Sequence, residues 1–146
     1  MQLGRDFRDM LATLESHGVR YLVVGGLAVA VHGTPRYTKD LDLWVECSPE
    51  NASKLVAAIN AFGLGSLGLV DADFLDPDIV IQLGYEPNRI DLLTALTGLT
   101  FADVYPKRHY AELDGMRIPI IDRESLLANK RALGRPHDLD DAKGIE

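Results

Sequence analysis

Two adjacent glycines, Gly25 and Gly26, separate two apolar segments and constrain the fold more than any other feature. The residues before them, Tyr21–Val24, are apolar and include two β-branched valines, which predicts a strand. The apolar residues after them predict a short helix that ends near Gly33. A strand that turns through glycine into a helix leaves unpaired N–H groups at the positive end of the helix dipole. We therefore expect an anion-binding site at this turn.

Two aspartates lie in the next predicted strand, which spans residues 39–46. Asp40 and Asp42 are two positions apart, so their side chains point to the same face and can share a hard cation. A third carboxylate, Asp91, lies in a strand-like segment, 89–93, that we expect to be adjacent. Three converging carboxylates repel one another unless divalent cations neutralise them, and two-metal phosphoryl transfer uses that arrangement.

The rest of the pattern predicts an α/β or α+β fold, with a small mixed β-sheet flanked by helices. An amphipathic helix precedes the first strand, and residues 63–77 form a loop with a short strand at 67–70. Local signals mark four further elements: Ser48-Pro49-Glu50 begins a helix that ends at Gly63, Asp114-Gly115 forms a hairpin turn, Asp122 caps a helix from Arg123 to about Leu133, and a last helix begins near Asp138.

Length and charge limit the classes of protein to which the chain can belong. Its 146 residues predict a single domain, 1–146, with a catalytic core at about 19–95 and a C-terminal hairpin and helices at about 108–146. The single Cys47 excludes an internal disulfide framework, and no stretch resembles a signal peptide or membrane span, so we expect a cytoplasmic protein. A net charge of −7 is unfavourable for holding long nucleic acid, although a local basic strip could guide an RNA end.

The order of these motifs resembles a known superfamily. Gly25-Gly26, then Asp40-Leu41-Asp42, then the lone Asp91 resembles the DNA polymerase beta-type nucleotidyltransferases, and within them the small bacterial toxin–antitoxin and abortive-infection enzymes. The stretch 129–141 also resembles that group, so the resemblance covers nearly the whole chain. It implies the polymerase beta-like nucleotidyltransferase fold. It also implies transfer of a nucleoside monophosphate from a nucleoside triphosphate to an acceptor hydroxyl, with release of pyrophosphate.

The resemblance also implies roles for the motif residues. Asp40 and Asp42 would ligate Mg²⁺, or Mn²⁺, and Asp91 would complete the catalytic metal site and favour deprotonation of the acceptor. Gly25 and Gly26 would approach the β- and γ-phosphates through their backbone. The superfamily often has Ser at the position of Gly26, so the hydroxyl contact to phosphate is missing here, which we interpret as variation rather than inactivation.

Basic and hydroxyl side chains near these motifs are further candidates for nucleotide binding. Arg36, Thr38 and Lys39 enter the aspartate strand, where they could reach a phosphate oxygen or form an ordinary solvated loop. Lys130 lies on the late helix and is a candidate for binding triphosphate or acceptor, with a charged helix face as the alternative. His32, at the end of the glycine helix, could face the site, although we expect it to cap or pack.

The acceptor stays open at the level of sequence. An RNA end or a protein hydroxyl would suit a toxin-type enzyme with a cognate antitoxin. A nucleotide-binding antitoxin without turnover is an alternative, but a dead site has no physical reason to keep three repelling carboxylates. An antibiotic nucleotidyltransferase is another alternative, although only the loop 63–78 remains to enclose an aminoglycoside or lincosamide.

Overall fold

A six-stranded mixed sheet organises the chain. The computed structural model describes residues 3–33, 35 and 37–146. The strand order across the sheet is β3-β4-β2-β1-β6-β5. The strands are β1 Tyr21–Val24, β2 Asp40–Val45, β3 Val80–Leu83, β4 Arg89–Leu93, β5 His109–Leu113 and β6 Met116–Ile120.

Strand pairing brings distant segments together at one edge of this sheet. The central strands β1 and β2 are antiparallel, with Val24 opposite Asp42. Strand β4 runs parallel to β2, which places Asp91 opposite Asp42, so the expected adjacency of these two strands is confirmed. Strand β6 runs parallel to β1, and the outer strands β3 and β5 pair antiparallel with β4 and β6. The expected mixed sheet is therefore present.

Helices begin and end mostly where the sequence predicts. Ser48 accepts a hydrogen bond from the Asn51 N–H and Asp122 accepts one from the Ser125 N–H, so both caps are confirmed. The helices are α1 Arg5–Ser16, α2 Gly25–His32, α3 Pro49–Ile59, α4 Phe101–Val104, α5 Arg123–Leu133 and α6 Pro136–Ile145. Among the described residues, no helix is both long and apolar enough to span a bilayer.

The core forms where the sheet meets these helices. Leu41, Leu43 and Val45 on β2 are fully buried, together with Trp44. The opposite alternation leaves Asp40 and Asp42 only half-buried at the start of the same strand. Burial of the apolar side thus fixes the register of β2, and the register fixes which way the two carboxylates point.

The segment after α3 differs from the prediction. Helix α3 continues into a π-turn at Asn60–Leu64, and Gly63 lies inside that turn with a φ of 109°. The strand predicted at 67–70 is wrong, because Gly65–Leu67 form a 3₁₀ turn that Gly68 ends in the left-handed conformation. A residue with a left-handed backbone interrupts the extended conformation that a strand requires.

Candidate active site

Three carboxylates meet at the edge of the sheet where β1 ends and β2 begins. Asp40, Asp42 and Asp91 each offer one oxygen, and these oxygens lie within 4.8 Å of one another. Burial, followed by the charges of Asp40 and Asp91, raises the pKa of Asp42 to about 7. The fold thus holds like charges together at an unfavourable electrostatic cost, which a bound cation would remove.

A guanidinium that the sequence reading did not single out lies among these carboxylates. Arg89, at the start of β4, donates from Nη2 to Asp40 Oδ2 at 2.7 Å and to Asp91 Oδ2 at 3.3 Å. Its signal was present in the sequence, because Arg89 and Asp91 are two positions apart on one strand face. Arg89 partly neutralises the cluster.

The donor set also fits a hard divalent cation. Asp91 Oδ1 is buried and has no hydrogen-bond partner among the described residues, although the Arg89 Nε lies 3.1 Å away with poor hydrogen-bond geometry. A buried carboxylate oxygen without a partner is costly, and coordination to a cation would satisfy it. Carboxylate oxygens are the ligands that Mg²⁺ prefers in proteins. The three aspartates together could therefore hold such an ion.

The glycine turn lies directly against this cluster. Gly25 has a φ of +67°, a left-handed conformation that favours glycine, and it begins α2. A Cβ on Gly25 would collide with the Asp42 carboxylate. Gly26 follows in the first turn of α2, where backbone N–H groups lack helical partners. The end of the helix that favours anions therefore adjoins the three carboxylates.

A cleft of about 700 Å³ extends from the carboxylates to helix α5. Lys130 lines this cleft, so the structure brings it to the same site as Asp42. Its ammonium lies 3.6 Å from Asp138 and 3.3 Å from Asp141, and the side chain is largely buried. Lys130 is therefore held in place by α6, with its charge already compensated in part.

The other candidates for nucleotide binding lie just before β2. Thr38 is half-buried and Lys39 is exposed. Neither residue is among the described residues that line the cleft. Arg36 lies outside the described residues. The roles assigned to these three residues stay predictions.

Comparison with protein families gives one match over nearly the whole chain. A family model described as "Nucleotidyl transferase of unknown function (DUF2204)" matches residues 4–146. No curated protein sequence matches significantly.

Solved structures share the fold at low sequence identity. TM1012 of Thermotoga maritima, named as a nucleotidyltransferase, has a TM-score of 0.61 and 15% identity, with 95% of this chain and 89% of that chain covered. Lincomycin-bound LnuA, a lincosamide antibiotic adenylyltransferase, has a TM-score of 0.58 and 14% identity, covering 98% and 96%. An antigenic nucleotidyltransferase-like protein from Paracoccidioides brasiliensis has a TM-score of 0.54 and 13% identity, covering 96% and 72%. At these identities the similarity shows the fold alone.

Proposed function

Because the chain belongs to the family of nucleotidyl transferases of unknown function matched by residues 4–146, we propose that it moves a nucleoside monophosphate from a triphosphate, such as ATP, to an acceptor hydroxyl. The observation that carries this proposal is the convergence of Asp40, Asp42 and Asp91 beside the start of α2. The three carboxylates would hold Mg²⁺, or Mn²⁺ in its place. A bound divalent ion supplies charge stabilisation for the phosphoryl group in transfer.

The reaction forms one bond and breaks one bond at the α-phosphorus. The acceptor oxygen bonds to this phosphorus, and the bond from the phosphorus to the α,β-bridging oxygen breaks. Pyrophosphate leaves with the electron pair of the broken bond. Asp91 completes the proposed cation site, favours deprotonation of the acceptor hydroxyl and is the proposed acceptor of its proton.

The start of α2 is the proposed cradle for the β- and γ-phosphates. Gly25 brings the backbone close to the carboxylates, and Gly26 contributes an N–H group from the first helical turn. Arg36, Thr38 and Lys39 are the proposed side-chain contacts from the segment entering β2. Lys130 lines the same cleft from helix α5, where Asp138 and Asp141 position it.

An RNA end or a protein hydroxyl is the proposed acceptor, which would suit the toxin member of a toxin–antitoxin pair in the cytoplasm. The retained carboxylate cluster disfavours an antitoxin module without turnover, because removing a carboxylate would relieve the repulsion. The second candidate function is nucleotidylation of a small antibiotic. The observation that favours it is the cleft beside the carboxylates, whose volume of about 700 Å³ suits a drug-sized molecule.

The test supplies each α-labelled triphosphate with magnesium to the protein in three mixtures: total RNA, lysate protein, or lincomycin. We expect label to enter RNA or protein, whereas label on lincomycin alone would favour the antibiotic enzyme.

Asp91→Asn should keep nucleotide binding but lower transfer at least about a hundredfold. Asp71→Asn, an exposed acid outside the site, is the matched control. Transfer by Asp91→Asn at the wild-type rate would contradict the proposed site.

A further inference from the structure

A second cleft, of about 390 Å³, lies along the same edge of the sheet as the carboxylates. We call it the basic cleft and define it by the polar residues His32, Lys107, Arg108, His109, Asp122 and Arg123. Strand β6 runs parallel to β1, so the end of β6 lies beside the glycine turn. Strand β5 is antiparallel to β6, which brings its first residue, His109, to that edge as well.

Two independent features give the separation between the basic cleft and the carboxylates. Asp42 pairs with Val24 on β1, and β6 and β5 follow, so three strand spacings of about 5 Å separate β2 from β5. Helix α2 begins at Gly25 beside the carboxylates and ends at His32 in the cleft, and eight residues span about 12 Å. One extended ligand could therefore contact both places.

The three cations of this cleft form no ion pair with any carboxylate among the described residues, although Asp122 also lines the cleft. Within residues 3–33, 35 and 37–146, no carboxylate lies within ion-pair distance of Lys107, Arg108 or Arg123. This contrasts with a chain that has 22 acidic and 15 basic residues. Seven other bases do have carboxylate partners, namely Arg5, Arg8, Arg20, Arg89, Lys130, Arg131 and Arg135, whereas Lys39, Lys54, Arg117 and Lys143 have none among the described residues. Three neighbouring cations that repel one another form a local attraction for an anion.

Both guanidinium groups are positioned by neutral contacts. Arg108 donates to the Tyr105 carbonyl at 2.9 Å and to the Tyr110 hydroxyl at 2.6 Å, and its guanidinium stacks over the Tyr105 ring at 4.1 Å. Arg123 donates to the His32 carbonyl at 3.0 Å. These contacts fix the groups without neutralising them, so less side-chain entropy is lost when they bind a phosphate.

The cleft also contains groups that suit a sugar attached to the phosphate. Asp122 also lines the cleft, where its Oδ2 caps helix α5, and its carboxylate could accept a bond from a hydroxyl. The His32 and His109 rings lie 5.2 Å apart, and burial lowers the pKa of His32, which disfavours protonation of its ring. Cations beside a hydroxyl acceptor match a ribose phosphate better than an acidic peptide.

We infer that the basic cleft binds a backbone phosphate of a single-stranded RNA acceptor whose terminal hydroxyl reaches Asp40, Asp42 and Asp91. This inference rests on the proposed function and names its acceptor. The transferred group and the bonds are those given above, with the RNA hydroxyl as the attacking oxygen. The net charge of −7 is unfavourable for a broad basic surface, so contact should be confined to a few phosphates near the RNA end.

The test measures binding of a short, fluorescently labelled single-stranded RNA by anisotropy, without nucleotide or metal, between about 50 and 200 mM salt. The variant is Lys107→Ser with Arg123→Ser. The matched control is Lys54→Ser with Arg5→Ser, which removes two exposed bases elsewhere. We expect the cleft variant to bind at least tenfold more weakly. Its salt slope should flatten by about 0.7, the contribution of one single-strand phosphate contact. The control should bind like the wild type.

Separate measurements distinguish failure of this inference from failure of the proposed function. Lys107→Arg with Arg123→Lys should keep RNA binding, which shows that charge rather than folding is responsible. Equal RNA binding by the cleft variant and the control would overturn the inference, and so would transfer to protein in a preparation that labels no RNA. Cleft-dependent RNA binding together with unaltered transfer by Asp91→Asn would support the cleft and count against the proposed catalytic site.

Discussion

At the scale of single residues, Gly25 couples backbone conformation to the carboxylate site. Its φ of +67° disfavours any side chain, and a Cβ would collide with Asp42. We predict that Gly25→Ala displaces the Asp42 carboxylate and weakens binding of a manganese–triphosphate complex by more than about tenfold, or roughly 1.4 kcal/mol. Nucleotide titration measures the affinity, and circular dichroism checks that the variant is folded.

The neighbouring glycine supplies the control for this substitution. Gly26 lies inside α2, and Gly26→Ser introduces the hydroxyl that many polymerase beta-type nucleotidyltransferases carry at this position. The affinity of this variant for triphosphate should therefore lie within about threefold of the wild-type affinity. If Gly25→Ala bound as tightly as Gly26→Ser, the close approach of Gly25 to Asp42 would have no role in holding the ligand.

The sequence predicts single residues of the site where a local pattern determines the direction in which a side chain points. Asp40 and Asp42 follow from strand alternation, because two positions along a strand return to the same face. Arg89 was missed because its function depends on register with another strand, where Asp40 lies opposite it. The residue type alone, a base near acids, is equally typical of a solvated ion pair.

At the scale of elements, Asp138 joins helix α5 to helix α6. It is fully buried, and its carboxylate lies near Lys130 and accepts hydrogen bonds from Arg135. We predict that Asp138→Asn lowers the melting temperature by at least about 4 °C, because it leaves the Lys130 ammonium with less compensation. The exposed Asp140→Asn is the control on the same helix and should melt like the wild type.

The pH dependence of that difference follows from the sign of the pKa shift. The hydrogen bond from Arg135 holds the pKa of Asp138 below its usual range, and the charge of Lys130 acts in the same direction. A lowered folded-state pKa contributes stability that is complete above the unfolded value of about 3.9 and is lost as the pH falls further. The melting difference between wild type and Asp138→Asn should therefore be constant from pH 7 to about 5 and shrink towards pH 3. A constant difference down to pH 3 would contradict this account.

The sequence predicts the ends of helices and strands where the residues of a cap or turn specify a local backbone geometry. Ser48-Pro49, Asp114-Gly115 and Asp122 each specify a local geometry, and the structure has a helix start, a hairpin and a helix start at those places. The segment 67–70 has no such signal. A short apolar run there suits a strand only if a neighbouring strand is available, and Gly68 takes a left-handed backbone instead.

At the scale of the whole molecule, the order of the strands determines the site. Strand β4 pairs with its sequence neighbour β3 on one side and with β2 on the other, so Asp91 lies opposite Asp42 although 49 positions separate them in the sequence. Periodicity describes which residues of a strand are buried, but it contains no information about which strand lies alongside. The convergence of three carboxylates could be expected from a family pattern, whereas the basic cleft, assembled from α2, the 3₁₀ turn Tyr105–Lys107, β5 and the start of α5, could not.

Stability of the whole molecule should report on the carboxylate site, because like charges held together oppose folding. A saturating divalent ion, at about a hundredfold excess over its dissociation constant, stabilises a protein by about 2.7 kcal/mol, which is roughly 5–10 °C for a chain of this size. We predict such a shift with Mn²⁺ alone, and its loss in Asp40→Asn with Asp42→Asn. Scanning calorimetry with and without the ion measures both.

A substitution of Arg89 tests whether the manganese-induced melting shift arises from the three carboxylates. Its guanidinium neutralises Asp40 and Asp91 when no ion is bound, so Arg89→Gln should melt lower than the wild type without metal and show a larger shift with Mn²⁺. Arg20→Gln is the matched control, because Arg20 forms an ion pair with Glu46 at 3.1 Å away from the site. It should show the wild-type manganese shift. A manganese shift in Arg89→Gln no larger than in Arg20→Gln would mean that the guanidinium and the cation do not share the three carboxylates.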